Sequence, residues 1–151
     1  MNLSIFIPTK NRLYYVSKLI KYYSSIEFNG ELIILDSSDN EIKDKIFELI
    51  SIYKNLKIKY FHSLGLPCAM MKKYINEVSS DYVVFSGDDD YLVTKNIDHF
   101  VTFLKKNPKY SGVFGNACNI EINNKLIFGQ GIYKFKKNKK TDPFKRIKFH
   151  L

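Results

Sequence analysis

The sequence predicts an α/β fold, a mostly parallel central sheet with helices on both faces. Short apolar runs alternate with segments that place apolar residues at helical spacing, four times over residues 3–107. Most of the runs are continuously apolar, as in strands covered on both sides. Three of them end in small polar or acidic residues, and ligands in open α/β sheets bind at the carboxyl ends of strands.

The first strand is "LSIFIPT" (3–9), closed by Pro8. "RLYYVSKLIKYY" (12–23) then puts Leu13, Val16, Leu19 and Ile20 on one helix face, with Asn11 as the N-cap. Asn29-Gly30 breaks the chain before a second buried strand, "ELIILD" (31–36). "NEIKDKIFELISIY" (40–53) sets Ile42, Ile46, Leu49 and Ile50 on one face. "LKIKYF" (56–61) alternates, which predicts a third strand with one wetter side. Pro67 opens a helix over 67–78 whose face is Ala69, Met70, Tyr74 and Val78. "DYVVFSG" (81–87) reads as a fourth buried strand, and "NIDHFVTFLKKN" (96–107) as a helix stopped by Pro108. Beyond 109 the grammar changes. "YSGVFGNACNIEI", Asn123-Asn124 and "KLIFGQGIYKF" read as a late β-hairpin that adds a mixed edge.

A length of 151 residues, 45% of them hydrophobic and 26% charged, suits one soluble globular domain. The net charge of +9 is uneven: residues 134–151 carry eight Lys/Arg and one Asp, leaving 16 basic and 14 acidic residues before them. That tail is either a solvated terminus or a surface that attracts the phosphates of nucleic acid or anionic lipid. Cys68 and Cys118 have neither disulfide nor metal spacing and read as reduced, buried thiols of a cytosolic protein. No run of about 18 apolar residues predicts a membrane span, and the N-terminus does not read as a signal peptide. Neither GxxxxGK[ST] nor GxGxxG occurs, so any bound phosphate is neutralised by metal and lysine rather than by a glycine-rich loop. His62, His99 and His150 share no ligand spacing.

Three strand ends gather on one rim: Pro8-Thr9-Lys10-Asn11, Asp36-Ser37-Ser38-Asp39 and Asp88-Asp89-Asp90. No basic residue nearby in sequence neutralises the acidic triplet. Two like charges about 4 Å apart cost roughly 4 kcal/mol at an effective dielectric near 20. Mn²⁺ or Mg²⁺ would relieve that repulsion, since such ions take hard oxygen ligands from one or two carboxylates plus substrate phosphates. The plainer alternative is a turn and helix cap without metal. One of the three acids is expected to cap the turn or accept backbone N–H groups. Lys72 and Lys73, on the preceding helix, are either a solvated face or a reach towards a diphosphate.

Taken in order, "LSIFIPTKNR", "ELIILDSSD" and "DYVVFSGDDDYL" resemble the sugar-nucleotide-binding half of the family 2 glycosyltransferases with the Rossmann-like GT-A fold. The resemblance covers residues 3–92. It implies that Pro8, Thr9, Asn11 and Arg12 lie beside the nucleotide base and that Asp36 hydrogen-bonds it, typically as uracil. Asp88, Asp89 and Asp90 match the DxD motif, in which one acid touches the ribose and another binds metal. The match gives Asp88 the ribose and Asp90 the metal, with Asp89 as competitor, so the three span the donor and metal sets. Where the family often has an Arg-Asn pair, this chain has "MMKKYIN", and Lys72 or Lys73 is the substitute, a point charge in place of a fork.

The activity implied is metal-assisted, inverting transfer from a nucleoside-diphosphate sugar to a glycan or lipid-linked hydroxyl in bacterial surface glycan synthesis. The implied location is the cytoplasm, with peripheral contact at the inner face of the membrane. Family members continue for about another hundred residues, in keeping with single α/β domains that exceed 200. Residues 1–133 therefore read as the nucleotide-sugar-binding domain. Residues 134–151 read as a basic tail and the start of a missing acceptor-binding portion. Past the triplet the acids are Asp98, Glu121 and Asp142, none a convincing general base, so the base is expected outside this chain, which is too short to act alone. The rivals are a nucleotidyltransferase of similar topology, a basic nucleic-acid-binding module and a family member that only binds nucleotide. The first lacks its glycine-rich loop in "PTKNRLYY". Against the second, charge sits at one end and Arg numbers two, so nucleic acid is disfavoured as a partner.

Overall fold

The computed structural model describes residues 1–118, 121–123, 125–127 and 132–133. Two compact units divide the chain at Ile97/Asp98. In the first, apolar β-formers build strands β1 (Ser4–Thr9), β2 (Glu31–Asp36), β3 (Lys57–His62) and β4 (Val83–Phe85), all parallel in the order β3-β2-β1-β4. Between them run helices α1 (Leu13–Ser25), α2 (Asn40–Ile52) and α3 (Pro67–Tyr74), the last extended by a 3₁₀ turn over Ile75–Glu77. Helix α4 (Ile97–Lys106) begins at the unit boundary.

Period-two alternation assigns each strand residue a face. Phe6, Ile33 and Leu35 pack with Met70 of α3, and Phe61 stacks on Tyr74 at 4.4 Å. Ile5, Ile7, Leu32 and Ile34 are turned to the opposite face, where Tyr60, in register with Ile34, meets Phe47 of α2. Helix α1, packed on α2, buries Val16, Leu19, Ile20 and Tyr23. Helices on both faces of a parallel sheet are thus borne out. Gly30 marks a close approach before β2. A Cβ there would collide with the Phe28 ring and lie 2.7 Å from the Leu3 carbonyl oxygen.

Several expectations change. The predicted strand over 81–87 shortens to Val83–Phe85 and is not fully buried, because β4 pairs on one side with β1 and leaves Phe85 61% exposed. On α3 only Met70 is buried. Ala69 and Cys68 lie on the exposed first turn, so the Cys68 thiol is open rather than part of the core. The late hairpin forms as β6 (Glu121–Asn123) against β7 (Lys125–Ile127). A second ladder joins β5 (Ala117–Cys118) to β8 (Ile132–Tyr133), both antiparallel. These strands satisfy one another as separate two-stranded ladders and do not extend the parallel sheet among the described residues. The side chains of Cys118 and Glu121, and the basic residues 134–151 with Asp142 and His150, lie outside the described residues.

At the amino ends of the strands, Glu31 is buried and accepts the Ser4 hydroxyl at 2.7 Å, the Ser79 hydroxyl at 2.8 Å and Lys59 Nζ at 2.9 Å. Burial alone would raise its carboxyl. Lys59, Ser4 and Ser79 outweigh that and hold it below its ordinary 4.5. The stabilisation is complete above that ordinary value and is lost as pH falls through the lower folded one. Glu31→Gln is expected to cost about 1–2 kcal/mol at neutral pH, discounted for the half-exposed lysine. Thermal melts at successively lower pH should show the gap to wild type closing; coincident melts at neutral pH would contradict the role.

Candidate active site

Parallel register sets the rim: Thr9, Asp36 and His62 are neighbours across β1, β2 and β3 at their carboxyl ends. Strand β4 ends level with Phe6, and the Ser86 N–H donates to the Phe6 carbonyl at 3.0 Å. The next residues, Gly87 to Asp90, therefore turn beside the end of β1.

Asp88 is 3% exposed. The Thr9 hydroxyl donates to its Oδ2 at 2.7 Å, and Arg12 Nε lies 3.3 Å from its Oδ1. The same guanidinium donates from Nη2 to Asp89 Oδ2 at 2.6 Å and lies 4.1 Å above the Tyr15 ring. The hydrogen bond to Asp89, helped by the charge of both acids, raises the Arg12 pKa. Burial pushes the Asp88 carboxyl up, and the Thr9 bond and Arg12 only partly oppose it. Arg12 thus neutralises part of the triplet, Asp88 and Asp89. This counter-ion comes from 76 residues earlier in the chain than Asp88, because β1 and β4 are sheet neighbours.

Asp90 takes the turn-capping part foreseen for one of the three acids. Its Oδ2 accepts the Gly87 N–H at 3.3 Å, and its own N–H donates to the Gly87 carbonyl at 3.3 Å. Asp89 Oδ1 and Asp90 Oδ2 converge over Gly87. A Cβ there would lie 3.0 Å from each. Among the described residues no three His, Cys, Asp or Glu side chains form a metal cage. Two carboxylate oxygens over a bare Cα fit a cation that draws its other ligands from phosphate and water. Tyr22 of α1 steadies the segment that follows, its hydroxyl donating to the Leu92 carbonyl at 3.0 Å and its ring meeting Tyr91 edge-on.

Asp36 has no exposed surface. Its Oδ1 accepts the Ser38 hydroxyl and the Ser38 N–H, the latter at 2.8 Å, and its Oδ2 accepts the Tyr60 hydroxyl at 2.6 Å. Burial first, then the bond to Asp36, drives the Tyr60 pKa up. Ser38 in turn accepts the Asn11 N–H at 2.7 Å, and its carbonyl meets His62 Nε2 at 2.8 Å. Asn11 is not the N-cap of α1. Its φ of 54° is left-handed, a region asparagine tolerates, and Arg12 occupies the cap position. The Asn11 amide instead pairs with Asp39, donating to Oδ2 and accepting the Asp39 N–H, each at 2.9 Å.

The structure therefore brings Thr9, Arg12, Asp88 and Asp89 into one cluster and Asn11, Asp36 and Asp39 into another on the same rim. Pro8, in register with Leu35, is half-buried on β1. Lys72 and Lys73 are exposed on the last turn of α3, and Lys73 donates to the Ser63 hydroxyl at 3.1 Å rather than to the acidic turn. Tyr60 and His62 escaped the sequence reading. Their signal was the register of "KIKYFH" against "ELIILD", which sets Tyr60 beside Ile34 and His62 beside Asp36.

An open parallel sheet whose strand ends carry buried acids, a guanidinium and small polar residues defines an α/β protein whose candidate site lies at the carboxyl ends of its strands. The model of glycosyl transferase family 2 matches residues 4–149, and the chain belongs to that family. It is 31% identical over 147 residues to the GalNAc(5)-diNAcBac-PP-undecaprenol beta-1,3-glucosyltransferase of Campylobacter jejuni, across 93% of this chain and 46% of that protein. It is 26% identical to the dolichyl N-acetyl-alpha-D-glucosaminyl phosphate 3-beta-D-2,3-diacetamido-2,3-dideoxy-beta-D-glucuronosyltransferase of Methanococcus voltae, across 87% and 44%. The chain thus spans under half the length of these relatives. S. aureus TarS, residues 1–349, shares the fold alone and without or with UDP gives a TM-score of 0.54 at 20% identity, across 72% of this chain and 33% of that 1–349 chain. The fold is GT-A. Among the described residues no helix is long and apolar enough to cross a membrane.

Proposed function

We propose that the chain is the donor-binding part of a metal-dependent, inverting glycosyltransferase. It would move a sugar from a UDP-sugar to a hydroxyl of a lipid-linked glycan in bacterial surface glycan synthesis, at the cytoplasmic face of the membrane. The observation that carries this reading is the acidic turn, with Asp88 buried against Thr9 and Arg12 and with Asp89 and Asp90 gathered over Gly87. Relatives named for undecaprenol- and dolichyl-linked substrates support the acceptor class, and the UDP complex of TarS supports the donor.

In this reading Asp88, held by Thr9, accepts the ribose hydroxyls. Asp89 and Asp90 would hold Mn²⁺ or Mg²⁺, which when bound would supply charge stabilisation for the departing diphosphate. The base lies against the β1 and β2 ends. Asp36, lacking exposed surface, serves there by fixing Ser38, Tyr60 and, through Ser38, Asn11. Lys72 and Lys73 offer point charges to the phosphates. Transfer forms a bond from the acceptor oxygen to the anomeric carbon as the bond to the diphosphate oxygen breaks. The acceptor proton passes to a base that we place outside residues 1–118. Residues 134–151 supply positive charge towards anionic lipid.

Thermal shift with UDP, with and without Mn²⁺, tests the assignment. Wild type should gain about 2.7 kcal/mol at a hundredfold excess over Kd, with Mn²⁺ present. Asp90→Ala should lose most of that gain. UDP stabilisation that ignores both metal and Asp90→Ala would overturn the reading, as would oligonucleotide binding indifferent to metal.

A further inference from the structure

Arg12 is the counter-ion of two acids in the turn. Its Nη2 lies 2.6 Å from Asp89 Oδ2 and its Nε 3.3 Å from Asp88 Oδ1, so one guanidinium bridges two acids. The second oxygen of Asp89, Oδ1, is the one that converges with Asp90 Oδ2 over Gly87. A single carboxylate thus faces two positive-charge positions, a guanidinium on one oxygen and a divalent cradle on the other. A dication and a guanidinium on one carboxylate repel each other at short range.

We propose that Arg12 competes with divalent metal for Asp89 and passes to the donor's diphosphate when metal and nucleotide bind together. The proposal rests on reading the acidic turn as the metal and donor site. Three features suit Arg12 to the exchange. Its face is held by the Tyr15 ring at 4.1 Å, which leaves the edge free to change acceptor. Its side chain is 40% exposed, and its buried Nε, 3.3 Å from Asp88, makes no hydrogen bond that the swing would break. Its planar fork matches phosphate oxygens as well as carboxylate oxygens. The exchange conserves charge pairing, since the guanidinium leaves one anion for another and Asp89 turns to metal.

Metal alone must displace Arg12 and binds weakly. Nucleotide alone finds the guanidinium engaged. Together each removes the other's obstacle, and the coupling is reciprocal. Arg12 is therefore a positioning residue that makes metal and donor binding interdependent.

Mn²⁺ binding to wild type and Arg12→Gln, measured by electron paramagnetic resonance with and without UDP, tests this. Arg12→Gln should bind Mn²⁺ alone about tenfold more tightly, and the enhancement by UDP should fall by a similar factor, within the usual range of coupling between sites. A merely structural role would weaken Mn²⁺ binding, not strengthen it. Arg12→Lys keeps the charge but loses the fork, so it should fall between the two, and it serves if the Gln variant does not fold. Equal Mn²⁺ affinity in wild type and variants, or an undiminished UDP enhancement, overturns the exchange and leaves the metal reading intact. No Mn²⁺ signal change in any of the proteins overturns both.

Discussion

Replacing Asp36 by alanine is expected to lower the unfolding free energy by about 3–4 kcal/mol, because it strands several buried donors at once. Its carboxylate has no exposed surface and accepts the Ser38 hydroxyl, the Ser38 N–H and the Tyr60 hydroxyl. Each orphaned buried donor costs about 1–3 kcal/mol. The sum falls short of full additivity because the three share one cavity and water can enter it. Loss spreads further, since Ser38 also receives the Asn11 N–H and its carbonyl meets His62. Asp36→Asn keeps one carbonyl acceptor and should cost about 1 kcal/mol, as for a single exchanged hydrogen bond. Urea titration measures both. A shift in midpoint at constant slope marks a loss of stability, and an Asp36→Ala midpoint near wild type would show that Asp36 does not organise the rim.

The elements that were legible in the sequence are those whose signal is local. "LSIFIPT" and "ELIILD" have apolar centres flanked by polar residues and became the two central strands, buried on both faces. "DYVVFSG" looks the same, yet it yields three strand residues and an exposed Phe85, because an apolar run carries no mark of whether it pairs on one edge or two. The acidic triplet was legible as a turn at the end of a strand, but its neutralisation was not. Thr9 and Arg12 reach Asp88 only through the β1–β4 pairing, a contact between segments 76 or more residues apart. Asn11 misled for a local reason. Asparagine suits both an N-cap and a left-handed turn, and the pull of Asp39 and Ser38 from β2's end selects the turn. Cys68 was expected inside on residue type, but it sits one residue after Pro67 on a first turn that faces away from the core.

Asp88→Asn should separate stability from binding by moving them in opposite directions. Burial raises the Asp88 carboxyl, and neither the Thr9 bond nor Arg12 fully offsets it, so the ionised side chain is a net burden on the ligand-free fold. Asparagine removes the charge yet can still accept the Thr9 hydroxyl. The ligand-free variant is therefore expected to melt higher, by about 2–4 °C for each kcal/mol relieved in a chain of this size. Nucleotide binding should move the other way. A carboxylate that accepts ribose hydroxyls makes charge-assisted bonds worth about 1.5–3 kcal/mol. Their loss weakens UDP binding in Mn²⁺ by roughly 10- to 150-fold at 1.4 kcal/mol per decade. Melting curves of the ligand-free pair and calorimetric UDP titrations read the two quantities independently. A variant that melts lower and binds UDP as wild type does would make Asp88 a structural acid. A variant that melts higher and no longer binds would place at Asp88 a charge that the fold tolerates for the sake of its ligand.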